Sequence, residues 1–253
     1  LTAAGKPRLV FLHGVGLDAS MWDGVVAELE DDFACLAQTL PGHGGRTAMP
    51  PDDIDGYAHD LARQLPDPAA GPLGLVGFSM GAMVAAAFAE IHPHRVHRLV
   101  LMNAVHICDR AARDAVMARL AQSQRDGLGA LADAAVQRWF SKAFIEAQPD
   151  SVAAVRRVLL ANDPAAYQRA YRLFAAADEI TAHRLPKILC PVLAMTGGED
   201  VNSTPEMSRS IAAAVADGTC LILEGLAHGA SIEDPGRVAG ALRTFMAREQ
   251  AHV

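Results

Sequence analysis

Leu73-Gly-Leu-Val-Gly-Phe-Ser-Met-Gly-Ala-Met-Val84 is the stretch on which the reading of the chain turns. An apolar run of Leu73, Leu75 and Val76 stops at Gly77. Ser79 stands alone between Gly77 and Gly81, and a small-residue helical stretch with Ala82, Ala85, Ala86 and Ala87 follows. Gly-x-Ser-x-Gly between a strand and a helix is the pattern of a nucleophile elbow. The chain must reverse so sharply there that the serine takes a strained backbone, and side chains two positions either side would collide. The hydroxyl is thereby lifted to the C-terminal edge of a parallel sheet, with the first amides of the next helix beneath it. The bare pattern also occurs in ordinary turns; the flanking strand and alanine-rich helix favour the functional reading.

Working outward, Arg8–Leu12 is a short apolar run without alternation that enters His13-Gly-Val-Gly16, a buried parallel strand leading to a glycine loop. Residues 20–30 read as an amphipathic helix, with Ser20 as its N-cap and Met21, Trp22, Val25, Val26 and Leu29 on its apolar face. Phe33–Leu40 is a second strand closed by Pro41-Gly-His-Gly-Gly45, and Ile54–Leu65 a second helix. The elbow strand, its helix to about Glu90, and a strand over Val96–Met102 ending at Asn103 come next. This repeated strand–loop–helix order asks for a mostly parallel sheet with helices on both faces.

The rhythm then breaks. From Val105 to about Leu185 the sequence shows only helical patterns, separated by Gly127, Gly129, Pro149 and Pro164. About eighty residues is too long for a connection. Strands resume at once with Cys190–Thr196 and Thr219–Glu224, alternating with helices over Pro205–Val215 and Pro235–Ala247. The expectation is therefore one α/β core, residues 1–104 and 186–253, of about six strands. A cap of three or four helices at 105–185 would lie over the edge to which the elbow points.

Composition narrows the function. The 253 residues are 51% hydrophobic and 20% charged, enough to bury a large core. A net charge of −7 argues against nucleic acid or an acidic membrane surface as partner. No run of eighteen apolar residues suggests a membrane span. With no leader pattern and no closely paired cysteines among Cys35, Cys108, Cys190 and Cys220, buried free thiols in the cytoplasm are expected. Monomer and homodimer remain equally open.

Three residues share one address. Ser79, Asp200 and His228 each fall just past the end of a strand, where open α/β sheets place their sites. In that order they suit a general-base triad: His228 takes the Ser79 proton, and Asp200 fixes the imidazole tautomer and stabilises its cation. Glu199 and Glu233 are weaker candidates for the acid. The backbone amides of Met80 and Val15 are the candidate oxyanion donors. His13 and His43 read as loop braces. Asn103, His106, Trp139, Phe140 and Tyr167 are candidate pocket residues, and Arg113, Arg138, Arg156, Arg157 and Arg172 supply cations in the helical stretch. The loop after the first strand lacks phosphate-cradle spacing. No zinc pattern or dinucleotide fingerprint stands out, so no metal and no cofactor are implied, and the expected partner is a small-molecule substrate.

These motifs together, His13-Gly-Val-Gly, Leu40-Pro-Gly-His-Gly, Gly77-Phe-Ser-Met-Gly, Gly197-Gly-Glu-Asp200 and His228 with Ile232-Glu-Asp-Pro235, resemble the α/β-hydrolase superfamily over nearly the whole chain. The Asp200–Pro235 region is similar to 3-oxoadipate enol-lactone hydrolases. The first sixty residues look equally like small bacterial carboxylesterases of the pimeloyl-ester type and like the menaquinone-pathway lyase. The resemblance implies an eight-stranded sheet whose second strand is antiparallel. Two of those strands would lie before Arg8, in a form either shortened or lacking its first residues. It also implies a serine hydrolase of the carboxylesterase or lactonase type acting on a small ester or lactone. A lyase or carbon–carbon bond hydrolase using the same triad, and a catalytically silent binding protein, are the alternatives.

Overall fold

The computed structural model describes residues 5–46, 48–66, 71–107, 110–176 and 178–248. Six parallel strands form one sheet: β1 (Arg8–Leu12), β2 (Ala34–Gln38), β3 (Leu73–Phe78), β4 (Val96–Met102), β5 (Val192–Gly197) and β6 (Gly218–Leu223), in the order β2-β1-β3-β4-β5-β6. Every strand lies within two residues of its expected position. The apolar runs lack alternation because both faces are covered. Val10, Leu75, Leu99 and Ala194 enter one core, whereas Phe11, Val76, Val100 and Met195 enter the other. Helices α2 (Ile54–Gln64), α3 (Met80–Ile91) and α10 (Pro205–Ala214) pack on the first side. Helices α1 (Asp23–Leu29), α11 (Ala230–Glu233) and α12 (Pro235–Met246) pack on the second.

Strand order decides where a site can form. The chain leaves β1 for β2 on one side, then returns to place β3 on the other, so the loops after β1 and β3 open side by side. Such a reversal creates a crevice at the C-terminal ends of the strands. Helix α3 begins there, with all of Met80–Ala89 buried. Its alanines let it lie close to the strands.

Two expectations change. The helix over residues 20–30 is a 3₁₀ turn, Ala19–Trp22, followed by α1. Asp18, not Ser20, caps the turn, its carboxylate accepting from the Ser20 amide. Between β4 and β5 the described residues form six helices rather than three or four: α4 (Arg110–Asp126), α5 (Leu128–Trp139), α6 (Lys142–Ala147), α7 (Pro149–Leu160), α8 (Pro164–Ala176) and α9 (Asp178–Arg184). Gly127, Pro149 and Pro164 do open new helices. Of the two extra breaks, the one within the described residues comes from Ser141, whose hydroxyl caps α6 through the Phe144 amide, a polar cap inside an otherwise continuous apolar pattern. Gly129 lies within α5 and breaks nothing.

Cys35, Cys190 and Cys220 are free and half-buried rather than fully buried; Cys108 lies outside the described residues. No described helix is long and apolar enough to cross a membrane.

Candidate active site

The elbow glycines are required by contact. A Cβ on Gly77 would stand 2.3 Å from the Gly81 carbonyl oxygen, and one on Gly81 would stand 2.5 Å from that of His13. Both neighbours are backbone, which has no rotamer to yield. Ser79 between them has φ 52° and ψ −116°. A non-glycine residue in that region costs on the order of 1–3 kcal/mol, which the surrounding sheet must over-determine. Its amide donates to the Met102 carbonyl at 2.9 Å, pinning the elbow to β4.

The loop after β1 closes the other wall. The His13 Nε2 accepts from the Leu40 amide at 2.9 Å, which leaves Nδ1, 2.7 Å from the Gly14 carbonyl, as the protonated nitrogen. Burial first, and His43 second, push His13 well below its ordinary pKa, so it stays a neutral brace. His43 sits beside it with ring centroids 5.0 Å apart, and burial lowers it to about 4. Gly14 lies over the elbow, where a Cβ would meet the Phe78 ring at 2.8 Å and the Ser79 Cβ at 3.2 Å. The Met80 amide, at the first position of α3, has no intrahelical carbonyl to reach. Neither it nor the Val15 amide makes a hydrogen bond to another described residue.

On the far side of β4, His228 Nδ1 and Asp200 Oδ2 lie 2.7 Å apart. Asp200 is only 2% exposed yet has a donor for every lone pair. Asn103 Nδ2 at 2.8 Å joins His228 at Oδ2, while the Asn202 and Ser203 amides at 2.8 and 3.0 Å reach Oδ1; Thr196 Oγ1, which accepts from Asn103 Nδ2 at 3.0 Å, gives its one proton to the Ser203 carbonyl at 2.8 Å. Burial alone would raise this carboxyl; the neighbouring His228 and the hydrogen bonds outweigh it and hold the group below the usual carboxylate range. The ion thus persists at neutral pH and fixes a proton on His228 Nδ1. The histidine is wedged between the Phe78 and Trp139 rings, with centroids at 4.9 and 6.0 Å. Its loop is tied to the helical segment by the Gly229 amide, which donates to the Trp139 carbonyl at 2.6 Å.

Ser79 and His228 open into one cavity of about 120 Å³. Val15, Asn202 and Ser203 line it from the core. Val116, Arg119, Leu131, Ala135, Arg138, Trp139, Tyr167, Tyr171 and Phe174 line it from the helices between β4 and β5. Of the expected pocket residues, Trp139 and Tyr167 are there. Asn103 is fully buried and serves Asp200; its position at φ 49° after β4 turns the amide inward. His106 reaches Ser210 Oγ at 3.0 Å instead. Phe140 packs against Phe144 and over Gly229, where a Cβ would lie 2.4 Å from its ring. Glu233 Oε1 accepts from the Ser141 and Ala227 amides rather than approaching the histidine ring.

A model of the alpha/beta hydrolase family matches residues 9–241. The chain belongs to that family. This hydrolase is 31% identical over 248 residues to the (E)-2-((N-methylformamido)methylene)succinate hydrolase of Acinetobacter baylyi, covering 96% of this chain and 90% of that protein. The crystal structure of an enol-lactonase from Burkholderia xenovorans LB400 superposes with a TM-score of 0.88 at 27% identity, covering 98% of this chain and 94% of that one. A thermophilic esterase from Thermogutta terrifontis superposes with a TM-score of 0.84 at 26% identity, covering 95% and 89%.

Two charged cavity residues were not among the expected pocket residues. By sequence Arg138 counts only among the cations of the helical stretch, and Arg119 not at all. Arg156, counted with it, pairs with Asp133 away from the cavity. Spacing could have placed Leu131, Ala135 and Arg138 on one face of α5, but the direction of that face is set by tertiary packing. Among the described residues no group of three or more His, Cys, Asp or Glu side chains is arranged to hold a metal ion.

Proposed function

We propose that this alpha/beta hydrolase is a serine hydrolase that cleaves a small carboxylic ester or lactone through an acyl-enzyme on Ser79. The observation that carries the reading is the His228–Asp200 contact at 2.7 Å behind a histidine that shares a small cavity with Ser79. With Nδ1 committed to Asp200, His228 has only Nε2 left to accept the Ser79 proton. Attack then places a negative charge on the substrate oxygen, which the Met80 and Val15 amides receive. One such donor contributes about 3 kcal/mol in comparable sites. His228 returns its proton to the leaving alcohol, and water repeats the cycle to free the acid.

Residues 105–185 act in this reading as a cap over a core made of 1–104 and 186–253; most of the cavity wall opposite Ser79 comes from that segment. A cavity of about 120 Å³ suits a small molecule and not a threaded polymer. The unpaired thiols Cys35, Cys190 and Cys220 fit a cytoplasmic setting. Hydrolysis is also what the names of the A. baylyi protein and of the B. xenovorans enol-lactonase describe for those relatives.

Turnover in ¹⁸O-labelled water tests the assignment against elimination by the same groups. The expected product carries one solvent oxygen in its carboxyl group, and rapid quenching traps an adduct on Ser79. A best substrate turned over with neither the label nor the adduct would replace the hydrolase reading with a lyase.

A further inference from the structure

We propose that Arg119 and Arg138, with the Tyr171 hydroxyl, form a carboxylate-binding subsite within the Ser79 cavity, so that the preferred substrate carries an anionic carboxylate besides the bond that is cleaved. The proposal deepens the serine-hydrolase reading and rests on it for the cleavage step, though not for binding.

Both arginines line the cavity that holds Ser79 and His228, and among the described residues no Asp or Glu does. Elsewhere in the same helical segment arginines meet carboxylates: Arg156 meets Asp133, Arg169 meets Asp52, and Arg184 meets Asp55 and Glu90. Neither Arg119 nor Arg138 has an acidic partner among the described residues. Arg138 donates from Nη1 to the Ala134 carbonyl at 2.9 Å, while its Nε is buried without a hydrogen-bond partner. Arg119 donates from Nε to the Tyr171 hydroxyl at 3.0 Å, so that hydroxyl, having accepted, keeps its own proton to give away. Its two terminal nitrogens form no hydrogen bond within the described structure. The two guanidinium groups also feel each other: burial first, then the Arg119 charge, lowers the Arg138 pKa.

A protein with net charge −7 gains nothing in stability by facing two like charges into one apolar pocket with a buried N–H unmatched. An anion there removes the repulsion and fills the missing acceptors. A planar carboxylate suits the paired N–H groups of a guanidinium, which bind it bidentately. The cavity is small, so the anion and the scissile carbonyl belong to one compact molecule.

Binding and selectivity test the proposal separately. Succinate, titrated calorimetrically into the Ser79→Ala protein, is expected to bind. Arg138→Met and Arg119→Met should each weaken that binding at least tenfold. Arg138→Lys, which keeps the charge and loses the fork, should give an intermediate loss and guards against a methionine variant that fails to fold. Selectivity is read from matched methyl esters, monomethyl succinate against methyl pentanoate, and from matched acetates, acetoxyacetate against propyl acetate. In at least one pair the anionic member should have the larger kcat/KM by tenfold or more, and the arginine variants should lower that ratio at least tenfold. No succinate binding, or an anionic-to-neutral ratio unmoved by every arginine variant, would overturn the subsite. Succinate binding that depends on both arginines, in a protein that cleaves none of the four esters, would keep the subsite and sink the serine-hydrolase reading instead.

Discussion

Replacing Asp200 with Asn changes one atom and leaves no good arrangement of hydrogen bonds. Four donors surround the carboxylate: His228 Nδ1 and Asn103 Nδ2 at one oxygen, and the Asn202 and Ser203 amides at the other. If the new amide nitrogen faces the backbone amides, two buried N–H groups lose their acceptor, at about 1–3 kcal/mol each. If it faces His228, the imidazole must turn its proton to Nε2, the nitrogen that takes the Ser79 proton in the proposed mechanism. That arrangement leaves one side-chain donor, Asn103 Nδ2, without its acceptor, against two backbone amides in the first, and so should prevail. Wrong-tautomer variants of this kind in serine hydrolases lose about 10⁴ in kcat, equivalent to roughly 5 kcal/mol of transition-state stabilisation. The assay is the steady-state rate on an activated acetate ester, with thermal denaturation as the folding control. A folded Asp200→Asn protein within tenfold of the parent rate would refute the assignment of Asp200 as the tautomer-fixing acid.

Two further expectations concern the scaffold. Gly81→Ala places a Cβ 2.5 and 2.6 Å from the His13 and Leu12 carbonyl oxygens, so the elbow helix must move away from β1. Overpacking against backbone should cost at least about 3 kcal/mol and lower Tm by roughly 10 °C, measured by calorimetry; an unchanged Tm would show that the approach is not tight. The braces His13 and His43 make stability depend on pH. Both stay neutral in the folded protein, well below 6.5 for His13 and to about 4 for His43, while the unfolded chain takes up protons from about 6.5 downward. Stability is therefore complete above that value and is lost as pH falls toward 4, by up to about 3 kcal/mol for His43. Urea midpoints between pH 7 and 4.5 should show this fall, and His43→Asn should flatten it; an equal slope in the variant would contradict the burial argument.

How far the chain could be read without coordinates depended on the range of the signal. Ser79 was legible because Gly77 and Gly81 record a local collision in the sequence itself. Asp200 and His228 were legible as candidates because each follows a short apolar run of strand length, and a parallel sheet gathers such ends at one edge. The helices between β4 and β5 were harder. Their number depended in part on a capping hydroxyl, Ser141, and their facing directions on packing that no periodicity encodes. Hence Phe140, expected in the pocket wall, packs over Gly229, while Arg119, which the sequence did not single out, faces the cavity. Asn103 shows a third limit. Its strand-end position marked it for the site, but its left-handed backbone sends the side chain beneath the site to Asp200.

The central claim, that Ser79 is the nucleophile, is tested most directly by treating the intact protein with a fluorophosphonate and mapping the adduct by peptide mass spectrometry. The account predicts one adduct per chain, on Ser79, with loss of ester hydrolysis in proportion to labelling and no adduct in Ser79→Ala. An adduct on another residue, or full hydrolytic activity in a protein labelled to completion at Ser79, would contradict it.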